Sequence, residues 1–484
     1  MYAKKVDNIT LVYPPYAQRV VSPPTISPPM GLCSLAASLL KGGFKVKIID
    51  ANVEHLDNKE VVRRIKEDRP QAIGISCIFT ATYNSTKDLA AQLKKETDIP
   101  IIVGGNQATA MSRHLIEDEN IDFVIKGEGE ISLVNLLNNL NASIEELKKI
   151  RALVFRQGKE IISSPEQEYV RQLDEIPLPP YQLFPMQRYS EYNISCSRGC
   201  PFDCTFCASK VVFGRGIRLR SVDNVIAELE LLVSRYGIKP LVFYDDFFTA
   251  NRAYVNELMD KMIAKKWDLK WRCATRVNLT STNVISKMKE AGCQLIKYGV
   301  ESGSPDILNT IKKGIARPEI KRALEVTKAA RMPYSTFFMI GNRGENLETV
   351  KESFRLIKEL DIEQASFAIT VPLPGTELAQ SLIKDGILDY RTIDWDLLLP
   401  LHLIDREYEK YSADLAQKWC QLTPAKILEL GKIGALICKM NIFLKTLEKK
   451  VKRQDALAQF FALAKEFFKN PVLFVKAAGM YTSI

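Results

Sequence analysis

The sequence predicts an α/β protein with two parallel-sheet domains and a helical C-terminal region. Three observations carry this prediction. Short apolar runs alternate with helix-length amphipathic segments over residues 9–141, the same alternation returns over 193–371, and a proline-rich segment at 174–180 separates the two stretches. A β-α-β-α order is typical of parallel sheets, whose strands need crossover helices to connect them.

The composition is that of an ordinary globular chain. The 484 residues are 46% hydrophobic and 26% charged, which excludes the disordered and collagen-like classes. The net charge of +10 favours an anionic partner, but no nucleic-acid-reading motif is present, so we expect no nucleic acid. Scattered cysteines, no signal-peptide pattern and no apolar run of about 18 residues predict a cytoplasmic protein.

The first domain is predicted over residues 1–145 as a doubly wound parallel sheet. The predicted strands are 9–13, 46–49, 72–76, 101–103 and 123–125, and the predicted helices are 31–41, 58–67, 85–96, 108–117 and 130–140. Ligands of such sheets bind at the carboxyl ends of the strands. Those ends carry Asp50, Ser76, a Gly104-Gly105-Asn106-Gln107 turn and a Gly127-Glu128-Gly129 turn. Each single glycine can also be an ordinary turn residue.

Residues 146–190 are predicted as a linker. Two strand-like runs around Gln157-Gly158 indicate a hairpin. The prolines that follow at 177–180 stiffen the path to the next domain.

The second domain is predicted over residues 191–380 as a partial barrel of six β/α units. The predicted strands are 194–196, 241–244, 271–274, 295–299, 334–340 and 365–371, with helices such as 222–235 and 347–360 between them. Barrels of this kind place their chemistry at the carboxyl ends of the strands. Those ends carry Tyr244-Asp245-Asp246, Thr275-Arg276, Glu301-Ser302-Gly303 and Gly341-Asn342.

The most specific motif is the cysteine loop after the first barrel strand. Cys200, Cys204 and Cys207 are spaced Cys-x-x-x-Cys-x-x-Cys, so three thiolates can hold three irons of a 4Fe–4S cluster and leave the fourth open. The alternatives are a structural zinc site or chance clustering. Zinc requires four ligands, and neither Cys196 nor a nearby histidine completes such a set.

This loop, with Phe206 before its last cysteine, resembles the motif of the radical S-adenosylmethionine (SAM) superfamily. The resemblance implies that the open iron binds SAM. It implies that Glu301 and Ser302 contact the SAM ammonium and ribose, that Arg276 pairs with its carboxylate, and that Phe206 lies near its adenine. The plain alternatives are a helix-start acid for Glu301 and a surface ion pair for Arg276.

The N-terminal turns resemble the cobalamin-binding domain found in some members of this superfamily, which carry a GG-x-x-A-T turn and a GEGE turn. The resemblance implies a cobalamin site formed by the strand-end residues Asp50, Ser76, Gly104, Gly105, Gln107, Gly127, Glu128 and Gly129. No Asp-x-His-x-x-Gly motif is present, and His55, His114 and His402 have other contexts. Cobalamin is therefore expected without a histidine below the cobalt, and an empty scaffold remains the alternative.

The last region, residues 381–484, is predicted to be mostly helical. Lysines flank aromatic residues over 445–469, a pattern typical of a basic amphipathic helix that contacts an anionic membrane and presents a lipid-like substrate. A helix packed on the barrel with its lysines in water is the alternative.

The family resemblance implies a function: reductive cleavage of SAM to a 5′-deoxyadenosyl radical, with cobalamin as methyl donor for an unactivated carbon of a small-molecule or lipid-like substrate. It also implies a reducing partner such as flavodoxin or ferredoxin. Two alternatives stay open: a cobalamin-associated radical oxidative cyclase or rearrangement enzyme, and a non-catalytic cobalamin or redox sensor.

Overall fold

A computed structural model describes residues 6–16, 27–78, 80–166, 169–279, 281–398, 406–448, 465–466 and 469–484. It contains two large sheets in sequence order and a helical region that packs on the second. The predicted α/β class is confirmed.

The first sheet has seven strands in the order β2-β1-β3-β4-β5-β6-β7. The strands are β1 Asn8–Tyr13, β2 Lys45–Asp50, β3 Ala72–Ser76, β4 Ile101–Gly104, β5 Phe123–Ile125, β6 Leu153–Gln157 and β7 Glu160–Ser163. β1 to β5 pair in parallel, as predicted, and the helices between them make the crossover connections that parallel pairing needs. The predicted hairpin is β6 and β7, which extend the sheet in antiparallel pairing at β5.

Helices cover both faces of this sheet. They are α1 Met30–Lys41, α2 Asn58–Asp68, α3 Tyr83–Glu96, α4 Asn106–Ala110, α5 Ser112–Ile116, α6 Gly129–Asn138 and α7 Ile144–Leu147. The single helix predicted over 108–117 is wrong, because the chain starts its helix directly after β4 and breaks at Met111. Met111 is 1% exposed, so the break buries an apolar side chain.

Over the described residues, the second sheet has six parallel strands in the order β15-β14-β13-β12-β11-β8 and does not close, as the partial-barrel prediction requires. Its strands are β8 Tyr192–Ile194, β11 Leu241–Phe243, β12 Trp271–Thr275, β13 Cys293–Glu301, β14 Tyr334–Ile340 and β15 Ala365–Ile369. A separate antiparallel ribbon is formed by β9 Ser197–Arg198 and β10 Arg218–Leu219.

The helices of this domain are α8 Ser209–Phe213, α9 Val222–Tyr236, α10 Arg252–Ala264, α11 Thr282–Glu290, α12 Pro305–Thr310, α13 Arg317–Ala329, α14 Leu347–Glu359 and α15 Glu377–Lys384. The first barrel strand ends two residues earlier than predicted. The backbone N–H of Cys196 donates to the Asp245 carboxylate at 3.1 Å, so this residue leaves the sheet and leads into β9.

The loop after β14 is folded around one buried acid, Glu345. Its carboxylate accepts the backbone N–H groups of Gly341 at 2.6 Å and Asn342 at 3.0 Å. Burial raises the pKa of Glu345 to about 7.

Glu345→Gln is expected to flatten the pH dependence of stability. Because the folded-state pKa is raised, the folded protein keeps a proton that the unfolded chain releases, and stability is lost as pH rises from about 4.5 to about 7. The loss amounts to about 3 kcal/mol from this group. Denaturant unfolding at pH 5 and pH 7 should show a larger decrease for the wild type than for the variant. Equal decreases would contradict the assignment.

The C-terminal region packs on the open side of the barrel with α16 Arg406–Ala416, α17 Pro424–Glu448 and a last helix, α18 Pro471–Ser483. Gly434 of α17 lies so close to Phe367 of β15 that a Cβ atom would be 2.4 Å from its ring. Trp419 donates from Nε1 to the Gly341 carbonyl at 2.7 Å. α17 therefore follows the packed-helix alternative, whereas Phe460, Phe461, Leu463, Phe467 and Phe468 and the side chains of Lys445, Lys449, Lys450 and Lys452 lie outside the described residues.

Among the helices in the described ranges, none combines the length and apolar character needed to cross a membrane.

Candidate functional site

The cysteine loop runs from the end of β8 to α8, at the carboxyl end of the barrel. Cys204 is 7% exposed, and Cys200 and Cys207 are half-buried. The backbone of Thr205 fixes the middle of the loop, since its N–H donates to Ile311 O at 3.0 Å and its carbonyl accepts from Leu378 N at 2.9 Å. The structure therefore holds the three predicted cluster ligands on one anchored loop.

Two acids at the end of β11 fix both ends of this loop. The Ser197 hydroxyl donates to Asp245 at 2.5 Å, and the Ser209 hydroxyl donates to Asp246 at 2.6 Å. Asp245 is 5% exposed, and this burial raises the pKa of its carboxyl to about 6. The strand-end acids noted in the sequence therefore position the cysteines.

Arg276, at the end of β12, reaches the loop from the barrel side. Its Nη1 lies 3.7 Å from the Cys204 sulfur, and its Nη2 donates to the carbonyls of Lys313 and, at 3.4 Å, Gly314. The guanidinium carbon lies 3.6 Å from the centre of the Phe202 ring. Arg276 therefore contacts the buried cysteine of the loop directly.

The residues present fit a cluster and its cofactor. Within the described part of the chain, Arg276 Nε and Asn278 Oδ1 are buried without a hydrogen-bond partner. Burial raises the pKa of the Cys200 thiol and raises that of Cys207 to about 11. Over the same residues, no three His, Cys, Asp or Glu side chains are grouped to hold a single metal ion.

Glu301 lies at the end of β13 in a strained backbone conformation. Its φ of +70° is in the left-handed region, at an irregularity in the pairing of β13 with β14. One carboxylate oxygen accepts from the buried Lys313 ammonium at 2.9 Å. The strained turn and the paired lysine fix the orientation of a carboxylate beside the cysteine loop, and its contact with SAM stays a prediction.

The other two residues predicted to contact SAM have different surroundings. Ser302 is fully buried, and its hydroxyl accepts from Ser304 N at 3.1 Å and lies 3.4 Å from the Ser353 hydroxyl. Phe206 is partly buried against the hydrophobic core. The Ser302 hydroxyl therefore shapes the turn after β13, and both cofactor contacts stay predictions.

The carboxyl edge of the first sheet forms a tight glycine turn after β4. Gly105 has a φ of +107°, and a Cβ atom there would lie 2.7 Å from the Cys77 carbonyl. Gln107 follows in α4 and is 5% exposed, and its Nε2 has no hydrogen-bond partner among the described residues. A bare backbone and an unpartnered amide at this edge fit a large polar ligand such as cobalamin.

Gln107→Ala is expected to weaken cobalamin binding by about tenfold, the effect of about one lost hydrogen bond. Iron content should not change, because Gln107 is not on the cysteine loop. Spectroscopic titration with hydroxocobalamin measures the affinity, and Gln92→Ala on α3 is the matched control. Unchanged cobalamin affinity would remove Gln107 from the site.

Asp50 and Ser76 are buried at the same edge, at the ends of β2 and β3. The Tyr189 hydroxyl of the linker donates to Asp50 at 2.8 Å, and the backbone N–H of Asn52 donates to it at 3.2 Å. Burial raises the pKa of Asp50 to about 6. Asp50 thus attaches the linker to the first sheet, and its cofactor role stays a prediction.

The GEGE turn joins the two domains through a buried ion cluster. Glu128 accepts from Arg218 through both oxygens, at 2.7 and 2.9 Å, and from Val170 N at 3.0 Å. Arg198 lies 3.2 Å from Glu128 and donates to Glu130 at 2.7 Å. Since Arg198 and Arg218 belong to the β9–β10 ribbon, this domain clamp connects the first sheet to the cysteine loop. The roles of Gly127, Glu128 and Gly129 toward cobalamin stay predictions.

The carboxyl edges of the two sheets meet on the cysteine side. Gly375, in the turn before α15, lies where a Cβ atom would be 2.9 Å from Val211 of α8 and 3.3 Å from Ala110 of α4. Tyr244, at the end of β11, is 62% exposed, yet surrounding protein raises the pKa of its hydroxyl by desolvation.

A surface groove of about 930 Å³ lies elsewhere, between α2 and α3. Its lining is mostly charged, and the Lys66–Glu96 ion pair spans it at 2.6 Å. It is on the side of the sheet where β3 and β4 begin, away from the cysteine loop.

The sequence does not predict that Lys313 pairs with Glu301. It also does not predict the domain clamp, in which Arg198 and Arg218 pair with the glutamates of the GEGE turn. Neither lies in a motif with a recognisable spacing, so the sequence carries no signal for these contacts. Asp245 is among the strand-end residues that the sequence identifies, but its anchoring contact with the cysteine loop is not predicted there.

The fold and the cysteine loop define a class of iron–sulfur protein in which a doubly wound domain is set against a partial barrel. Residues 194–357 match the Radical SAM superfamily, and residues 19–137 match the B12 binding domain. An uncharacterized methyltransferase of Pyrococcus horikoshii is 34% identical over 400 residues, which cover 81% of this chain and 86% of the relative. The chain belongs to the radical SAM enzymes that carry a B12-binding domain.

A further relative and a solved structure are also similar to this chain. The anaerobic magnesium-protoporphyrin IX monomethyl ester cyclase of Cereibacter sphaeroides is 27% identical over 409 residues, 81% of this chain and 66% of the relative. The structure of the radical SAM methyltransferase TsrM from Kitasatospora setae, with cobalamin and a 4Fe–4S cluster bound, has a TM-score of 0.69 at 18% identity. It covers 84% of this chain and 81% of that one. This last likeness shows the fold.

Proposed function

We propose that this protein is a cobalamin-dependent radical SAM methyltransferase that acts on carbon. The observation that carries the proposal is the contact between the carboxyl edges of the two sheets, where the cobalamin and cluster sites are proposed. The turn that bears Gln107 and the loop that bears Cys204 lie at carboxyl edges that α4 and α8 bring into contact. The relationship to a methyltransferase of Pyrococcus horikoshii supports the same reaction class.

The residues have distinct tasks in this proposal. Cys200, Cys204 and Cys207 would hold the cluster, and Arg276, whose Nη1 lies 3.7 Å from the Cys204 sulfur, would donate its unpartnered Nε–H to the SAM carboxylate. Glu301, held by Lys313, would accept from the SAM ammonium. When bound, the cluster supplies an electron for SAM cleavage, and cobalamin supplies a methyl group.

The protein's own contribution is orientation and exclusion of water. Asp245 and Asp246 fix the loop, the domain clamp fixes its distance from the first sheet, and α17 closes the open side of the barrel. A radical reaction needs this enclosure, because the reacting carbon must be held close and side reactions prevented.

Product analysis after anaerobic reconstitution with iron, sulfide and cobalamin tests the proposal. With dithionite and SAM, a methyltransferase forms 5′-deoxyadenosine and S-adenosylhomocysteine together when a substrate is present. Because a second SAM restores the methyl group, the two products should rise in parallel. Formation of neither product under strong reduction would favour the sensor alternative.

An oxidative cyclase is the second candidate, since the relative from Cereibacter sphaeroides is named as one. A cyclase would form 5′-deoxyadenosine without S-adenosylhomocysteine. We further propose a small-molecule substrate, a reductant such as flavodoxin or ferredoxin, and a cytoplasmic location.

A further inference from the structure

The inner face of the barrel sheet can be assigned from its side-chain alternation. The Tyr298 hydroxyl contacts Thr327 of α13 at 2.8 Å, and Trp271 donates to the carbonyl of Ala291, next to α11, at 2.8 Å. These residues therefore face the helices. Because side chains alternate along a strand, Arg272 and Lys297 face the opposite, inner side.

Among the residues that the structure describes, Lys297 has no anionic hydrogen-bond or ion-pair partner at this inner face. Its ammonium lies 5.7 Å from the centre of the Phe337 ring, and it makes no hydrogen bond or ion pair within the described residues. Glu191 is already paired with Arg272, since its two carboxylate oxygens accept from Arg272 Nη2 at 3.0 and 2.7 Å. Lys297, Arg272 and Glu191 together carry one more positive charge than negative charge. Burial lowers the pKa of the Lys297 ammonium, Arg272 adds to this, and Glu191 opposes it.

A second observation at the same face indicates a ligand. Asn193 on β8, Val242 on β11 and Arg272 on β12 are register partners and share one row. The Asn193 Oδ1 is buried without a hydrogen-bond partner among the described residues, while its Nδ2 donates to Ser27 of the first domain at 2.5 Å. Asn193 lies three strands from Lys297, in the row of Arg272, and a buried acceptor without a partner is costly unless a ligand satisfies it.

We propose that the inner face of the barrel binds an anionic group of the substrate, a carboxylate or a phosphate, through the Lys297 ammonium with Arg272. The proposal rests on the proposed function, because it assigns the substrate class of the same site. Arg272 uses only its Nη2 on Glu191, so its remaining donors are free for a two-pronged contact with such an oxyanion.

The position of Lys297 also limits the size of the substrate. Lys297 lies on β13 four residues before Glu301, about 13 Å along an extended strand. An anionic group held at Lys297 therefore leaves room for a compact chain or ring that extends toward the cysteine loop. The Asn193 Oδ1 would accept a hydroxyl or amine of that body.

Protection from amine labelling tests this site in the wild-type holoenzyme. Reductive methylation followed by peptide mass spectrometry measures the reactivity of Lys297. Phosphate at about 20 mM should slow it by about threefold relative to chloride of equal ionic strength, the factor 1 + [L]/Kd for a Kd of about 10 mM. Acetate is the parallel probe. Stronger protection by phosphate assigns a phosphate, and stronger protection by acetate assigns a carboxylate.

The exposed Lys270, whose side chain is 55% exposed, is the internal control and should react at the same rate in every salt. Equilibrium dialysis of labelled phosphate at about 20 mM is the second measurement: Lys297→Met should reduce bound phosphate by about two-thirds of an equivalent, the occupancy for a Kd of about 10 mM, and Lys270→Met should not. Labelling of Lys297 at equal rates in phosphate, acetate and chloride would overturn the proposal. Neither measurement depends on methyl transfer. The anion site can therefore be disproved while the proposed function holds, and the proposed function can be disproved while the anion site holds.

Discussion

Cys204→Ala is expected to abolish cluster assembly and SAM cleavage. Cys204 is the most buried of the three loop cysteines, and its sulfur lies 3.7 Å from the Arg276 guanidinium. Alanine leaves two thiolates, which cannot hold three corners of a four-iron cube. Iron content, visible absorbance and 5′-deoxyadenosine formation after dithionite should all fall to background.

Cys420→Ala provides the matched control for this variant. Cys420 is half-buried like Cys207, but its thiol contacts the Leu422 carbonyl at 3.8 Å, away from the loop. This control should keep wild-type iron content. SAM cleavage retained in Cys204→Ala would contradict the cluster assignment.

Glu128→Gln is expected to loosen the two domains. Its side chain is 2% exposed and pairs with Arg198 and Arg218, so removal of its charge leaves Arg198 with Glu130 alone and takes from Arg218 the carboxylate it pairs with in the described structure. Breaking a buried pair costs about 3–5 kcal/mol. At about 2–4 °C per kcal/mol, the melting temperature should fall by roughly 10 °C.

Glu146→Gln is the control for this charge change, because Glu146 and its partner Lys149 are 51% and 69% exposed. It should leave the melting temperature unchanged. Measurements on the cofactor-free Glu128→Gln protein also distinguish a structural role of Glu128 in the domain clamp from a direct contact with cobalamin. A wild-type melting temperature combined with weaker cobalamin binding would contradict the clamp and support a direct cofactor contact.

Local sequence predicts strands such as β3 and β14 because apolar residues dominate them, as is typical of parallel strands covered by helices. β3, with five buried residues, and β14 were bounded correctly from this pattern alone. The cysteine loop was predictable for a different reason: three ligands of one cluster must lie close in sequence on a short loop.

The contacts that orient the site were not predictable, because they join distant segments. Glu128 meets Arg218 across 90 residues, and Asp50 meets Tyr189 across 139. The strained Glu301 turn depends on the packing of β13 against β14, which no local pattern reveals. The sequence therefore predicts the ligands of the cluster, and the tertiary fold decides how they are held.

The most direct test of the central claim uses SAM that carries a trideuteromethyl group. The reconstituted holoenzyme, reduced with dithionite, is incubated with fractionated small molecules, and mass spectrometry follows the label. The account predicts a product that carries the trideuteromethyl group on carbon, formed together with 5′-deoxyadenosine and S-adenosylhomocysteine. A substrate-dependent product with 5′-deoxyadenosine and no transferred deuterium would contradict methyl transfer and favour the cyclase.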